Sequence, residues 1–164
     1  MLVVTFRVSG SAYALRCDHV VAVIPEVELR PLAQGAAWLR GVFAYRGELA
    51  PVVDVCQLVG GYRCPARLSS RIALVRCAQP DGAPRTVGLL AEHMTEARRL
   101  HGALPAAAPV TSLPYFGEVL LEGGEPLQFL EPAAILQASG IALPAGTTAP
   151  RITAGEKDRE PPQP

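Results

Sequence analysis

Between Leu39 and Val55 the chain reads LRGVFAYRGELAPVVDV, and this stretch leaves little freedom for what surrounds it. Two runs of β-formers, residues 42–45 and 49–53, meet at Arg46-Gly47-Glu48. Val, Phe and Tyr suit a half-buried pleated surface, and glycine supplies a positive φ at the corner, so the segment predicts a β-hairpin. Asp54 then precedes VCQLVGG, a short helical turn. An aspartate at that position caps a helix by accepting an otherwise unpaired backbone N–H, and Gly60-Gly61 supplies the stop. A chain built around a tight hairpin and a one-turn helix is a chain of short strands.

The totals agree. Of 164 residues, 49% are hydrophobic and 18% charged, which permits a sizeable core and excludes a disordered chain. Aromatics are only 5%, so that core is built from Val, Leu, Ile and Ala. Fifteen basic residues balance fifteen acidic ones, giving no global field to attract nucleic acid or an anionic membrane. No apolar run approaches the ~20 residues that span a bilayer, so no membrane insertion is expected. The N-terminus, MLVVTFRV, alternates as a strand and lacks a basic leader region. The default compartment is the cytoplasm. Cys17, Cys56, Cys64 and Cys77 form no C-x-x-C pair and fit reduced, partly buried thiols; their spacing offers no zinc site.

The rest of the chain repeats the same grammar. Strands are expected at 2–8, 13–16 and 20–24, with a short edge segment at 29–32 and a helical turn before the central hairpin. After a loop at 61–70, strands are expected at 71–77, 86–91 and 95–100. Residues 101–114 carry three prolines and read as an irregular excursion. Residues 117–122 and 125–130 flank Gly123-Gly124, a pair suited to a type I′ hairpin, which needs positive φ at both positions. Pro132 opens a short helix that Gly140 stops. Two halves of about five antiparallel strands each are expected, roughly residues 1–65 and 66–140, intertwined at the ends. They share an apolar seam, where a groove for a partner would form. Residues 141–164 are rich in Pro, Thr and mixed charge and read as a flexible tail.

Catalytic sets are hard to find. His19, His93 and His101 have no metal-ligand spacing, no nucleophile sits in a recognisable elbow, and neither Gly-Gly pair has the context of a phosphate loop. Neither enzyme chemistry nor a cofactor is expected. Arg46 admits two roles, a solvated turn residue or a fixed guanidinium that pairs with a carboxylate. Asp54 is expected to be structural, as the helix N-cap.

In order along the chain, Phe6 with Tyr13-Ala14-Leu15, Val20 to Ile24, Leu39-Arg40-Gly41-Val42, Tyr45-Arg46-Gly47, Pro51 to Val55, Val87 to Glu92, and Phe129-Leu130-Glu131 with Ile135-Leu136 resemble the CheW-like family, the coupling proteins of bacterial chemosensory arrays. The resemblance implies an all-β fold of two SH3-like five-stranded β-barrels, packed side by side with short helices over residues 1–140. It implies a non-catalytic adaptor, cytoplasmic and associated with membrane-bound receptor arrays. Its partners would be the regulatory domain of a CheA-type histidine kinase and the cytoplasmic tip of a methyl-accepting chemoreceptor.

Carried over by motif, Val20 and Val23 line the groove side, Arg46 and Gly47 form its organising turn, and Gly41 is a further contact. Leu90 and Met94 are the expected contacts of the second barrel. Many family members place at Ala22 a glutamate that would pair with the second Arg-Gly arginine. Glu26 and Glu28 do not match that position, so Arg46 is expected to have a substitute carboxylate or solvent access. The departure favours an alternative chemosensory pathway, such as a Wsp-like one controlling surface behaviour or cyclic-di-GMP output. Two rival expectations are a kinase-binding regulator that does not bridge receptors, and a small β-barrel ligand-binding protein that uses the seam. Open strand edges also leave room for a weak homo-oligomer.

Overall fold

The structure is a computed structural model, and it describes residues 1–33, 35–78, 82–102, 104–105 and 112–140. The expected tail at 141–164 lies outside them. Among these residues eleven strands and two helices run in the order β1 (Leu2–Val8), β2 (Ser11–Arg16), β3 (Val20–Pro25), β4 (Leu39–Tyr45), β5 (Glu48–Asp54), α1 (Val55–Gly60), β6 (Arg71–Ala78), β7 (Pro84–Ala91), β8 (Arg98–Arg99), β9 (Leu104–Pro105), β10 (Phe116–Glu122), β11 (Glu125–Leu130) and α2 (Pro132–Ala138). The fold is all-β, with two barrel-like sheets. One has the order β8-β1-β2-β11-β10-β9, the other β3-β6-β7-β5-β4.

The strands do not divide at residues 65 and 66. The first sheet joins the two ends of the described chain, and the second is made wholly from its middle. Nor is the order purely antiparallel. β2 pairs with β11 in parallel, as do β5 and β7, because each pairing joins strands too remote in sequence for a hairpin to set their direction. Pro51 sits in β5 one residue before the β7 pairing begins at Val52, so its missing N–H interrupts no ladder bond to β7.

The core explains the burial of β1. Val4, Phe6 and Val8 enter a large cluster with Val52, Ile72, Leu74, Leu89, Leu90 and Ile135 of the other sheet and α2. Val3 points the other way, into a smaller cluster with Ala14, Leu120, Leu127 and Phe129. The period of two thus feeds two cores from one strand. The large cluster is the shared seam expected from the sequence.

The strand expected at 95–100 shrinks to β8. Thr95 takes over part of the ladder with its side chain: its backbone N–H donates to the Thr5 carbonyl at 2.8 Å, while its hydroxyl accepts from the Thr5 N–H at 3.1 Å. Arg98 then grips Glu122 of β10 with two bonds of 2.8 and 2.6 Å. The Arg98 bond holds the Glu122 carboxyl below its ordinary pKa of 4.5, against the opposing effect of burial. A carboxylate depressed by folding stabilises the native state above its unfolded pKa, and that stabilisation fades as pH falls through the folded value. Glu122→Gln is therefore expected to flatten the decline of Tm with acidification below about pH 4.5. The contribution is below about 1 kcal/mol because the pair is partly exposed. An unchanged slope would refute it.

Candidate functional site

The central hairpin forms as its residues require. Arg46 and Gly47 both have positive φ, 48° and 82°, the pair of left-handed residues that matches the twist of a two-residue hairpin turn. The Arg46 guanidinium is exposed and lies over the Tyr45 ring, 5.3 Å from its centroid. Solvent access and the ring meet its needs, and no ion pair to it occurs among the described residues. Ala22 sits half-buried on β3, opposite Leu74.

The buried arginine of this region is Arg40, the other Arg-Gly arginine. Its Nη1 donates to Asp54 Oδ2 at 2.8 Å and its Nη2 to Glu26 Oε1 at 3.2 Å, with the side chain only 12% exposed. Asp54 is the N-cap of α1: Oδ1 accepts from the Gln57 N–H at 3.0 Å, and Gly61 closes the helix with φ of 72°. Oδ2 also accepts from the buried Cys64 N–H at 2.9 Å. Arg40 escaped the sequence reading because attention fell on the turn arginine. The doubled Arg-Gly was the available signal, but only the fold shows which of the two is enclosed.

β3 is an edge strand of its sheet and, among the described residues, pairs only with β6. It has no fully buried residue: Val20 and Val23 are half-buried and Val21 is 41% exposed. Such a strand presents an apolar margin together with unpaired backbone groups. Gly41 is buried in β4, beside the segment that carries Arg30. Leu90 is fully buried and Met94 is 6% exposed, both in the large cluster, so their side chains have little or no surface to offer. The site residues chosen from the sequence therefore separate into an exposed corner, an apolar edge and three positions inside the fold.

Two clefts meet at Arg7 of β1. One, of about 360 Å³, is lined by residues that include Arg7, His93, Arg98, Glu122 and Leu127. The other, of about 530 Å³, is lined by residues that include Arg7, Tyr62, Arg63, Arg67 and Glu92. Neither is lined by Val20, Val23, Leu90 or Met94. Both clefts mix charged and apolar lining residues, and the apolar margin of β3 lies elsewhere.

Among the described residues, one group could bring ligands to a metal. Asp54, Cys56 and Cys64 have their ligand atoms within 4.8 Å of one another, a proximity the linear spacing concealed. Asp54 fits poorly as a ligand, because both its oxygens already hold hydrogen bonds and one faces Arg40.

The CheW-like domain model matches residues 2–140. The chain belongs to the CheW-like family. The match spans both sheets and both helices, so the central hairpin, β3 and the Arg40–Asp54 pair all lie within the family's own fold. Protein PilI of Pseudomonas aeruginosa is 30% identical over 70 residues, which are 43% of this chain and 39% of PilI. The chain thus aligns with well under half of that curated relative's length. The scaffolding protein TtCheW of Thermoanaerobacter tengcongensis superposes with a TM-score of 0.66 over 80% of this chain and 84% of that one, at 19% identity. That likeness speaks for the fold. No helix of the described residues is long and apolar enough to cross a membrane.

Proposed function

We propose that this CheW-like protein is a non-catalytic adaptor that joins methyl-accepting chemoreceptors to a CheA-type histidine kinase. The supporting observation is β3, an unpaired sheet edge with Val20, Val21 and Val23 incompletely covered. An edge of this kind suits pairing with a strand or packing of a helix, because apolar contact and free backbone groups act together. The Arg46-Gly47 corner adds a positively charged, geometrically fixed contact. Leu90, Met94 and Gly41 act in this reading as supports of the fold. Ala22 offers Arg46 no carboxylate, which favours an alternative surface-sensing pathway; full-affinity binding to both the receptors and the kinase of a motility pathway would overturn that assignment.

The test uses two purified baits from one cell, the kinase regulatory domain and the receptor tip. Val20→Asp is expected to weaken one of them at least about tenfold, since a central interface residue often contributes more than 1 kcal/mol. Arg46→Ala is expected to weaken binding less, by roughly threefold, because a rim charge acts in high dielectric. Circular dichroism confirms that each variant is folded. Binding of the kinase domain without the receptor tip would make the protein a regulator that does not bridge, and binding of neither would end the coupling role.

A further inference from the structure

We propose that Cys56 and Cys64 are a redox couple, a buried dithiol that closes to a disulfide when the protein meets a hydroperoxide. Their Sγ atoms lie within 4.8 Å of each other, and the residues are 0% and 1% exposed. Cys56 is the second residue of α1, and Cys64 follows the left-handed turn at Gly61, so the segment between them folds back and brings the two thiols together. Two adjacent thiols without a metal have one chemistry open to them that a lone thiol lacks, namely a cross-link within the chain.

The surroundings make the two sulfurs unequal. A hydrogen bond from the Cys64 thiol lowers the Cys56 pKa against the effect of burial, with further help from the Glu92 backbone N–H. Cys64 moves the other way, held protonated first by its bond to Cys56 and then by burial. This is the division of labour between an attacking and a resolving thiol. Metal binding fits less well: a cation would have to take a carboxylate oxygen from the Gln57 or Cys64 N–H and sit beside the Arg40 guanidinium.

The steps balance. The Cys56 thiolate attacks one oxygen of the hydroperoxide, the O–O bond breaks, and the other oxygen leaves as water or an alcohol after taking a proton. Cys56 becomes a sulfenic acid. The Cys64 sulfur then attacks the Cys56 sulfur, the S–O bond breaks, and the hydroxyl leaves as water with the proton of the Cys64 thiol. Two thiols lose two protons and two electrons, and the peroxide takes both pairs as it is reduced.

Tyr62 lines the cleft that holds Arg7, Arg63 and Glu92 and neighbours Cys56. The same tyrosine ties the sheets together. Its hydroxyl donates to Glu92 Oε2 at 2.7 Å and accepts from the Ser9 N–H at 3.0 Å. Closing the disulfide pulls on the segment that carries Tyr62, so the oxidation state reaches the junction of the two sheets.

The experiment treats the folded full chain with hydrogen peroxide, blocks remaining thiols by alkylation and maps the peptides without reduction. The expected result is a Cys56–Cys64 linkage, released by dithiothreitol, formed at least about tenfold faster than Cys77 is modified; burial pushes the Cys77 thiol up to about 11. In Cys64→Ser, Cys56 is expected to accumulate as a sulfenic acid that a dimedone probe traps. The wild-type map needs no variant to fold. Three results would overturn the proposal. One is Cys56 and Cys64 remaining alkylatable while Cys77 oxidises. Another is a linkage that forms only in urea. The third is stoichiometric zinc uptake by the reduced protein that protects both thiols from peroxide.

Discussion

Asp54→Ala is expected to lower the stability of the protein by about 3–5 kcal/mol, the usual cost of removing one partner from a buried ion pair. Asp54 is 1% exposed and accepts three hydrogen bonds, from Gln57, Cys64 and Arg40. Alanine removes the cap of α1, worth about 1 kcal/mol. It also leaves the Cys64 N–H without its acceptor in the interior, and leaves Arg40 with Glu26 alone at 3.2 Å. A domain of this kind has roughly 5–15 kcal/mol in total, so the change consumes a large part of it. Urea denaturation measures the loss. Asp54→Ser keeps a capping oxygen and is expected to recover about a third of it. Arg40→Met in the Asp54→Ala background removes the stranded guanidinium, so the double variant should lose less than the two single losses added together. A loss below about 1 kcal/mol in Asp54→Ala would mean that the network is a bystander.

This network marks how far the sequence could be read. Local chemistry was legible. Arg46-Gly47 and Gly123-Gly124 both adopt the positive φ values that their hairpins need. Asp54 and Gly61 bound α1, and the strands fall close to the expected runs, because turn and cap residues act on their immediate neighbours. Pairing between remote strands was not legible. Nothing in β2 or β11 taken singly says that they run parallel, and the period of two gives faces without naming neighbours.

The same limit applies to the candidate site. Val20 to Ile24 and Val87 to Ala91 are both apolar runs, yet the first is an open edge and the second is wholly buried. A continuous apolar run gives no face that distinguishes a partner from a core, which is why Leu90 was read as a contact. Arg40 and Arg46 each precede a glycine in a strand-forming context, and only the tertiary packing encloses one and exposes the other. The dithiol was hidden for a related reason: a helical turn and a left-handed glycine bring together two cysteines that look unrelated on paper.

Gly41→Ala separates a structural glycine from a contact glycine, and a loss of about 2–5 kcal/mol is expected. The residue has φ of 144°, which only glycine adopts without strain, and a strained residue costs roughly 1–3 kcal/mol. A β-carbon there would stand 2.6 Å from the Arg30 carbonyl oxygen and 3.1 Å from the Leu29 β-carbon. The oxygen cannot simply withdraw, because it accepts the Val42 N–H at 2.9 Å while the Arg30 N–H donates back to the Val42 carbonyl at 2.9 Å. Overpacking against fixed backbone adds a further ~1–3 kcal/mol. The bulge between Leu39 and Gly41 would have to open, carrying Arg40 away from Asp54 and Glu26. The thermal unfolding temperature should therefore fall steeply, while on the proposed adaptor role the molecules still folded at low temperature keep whatever affinity wild type has for the kinase domain and receptor tip. Preserved stability with lost binding would reverse the assignment and make Gly41 part of the contact surface.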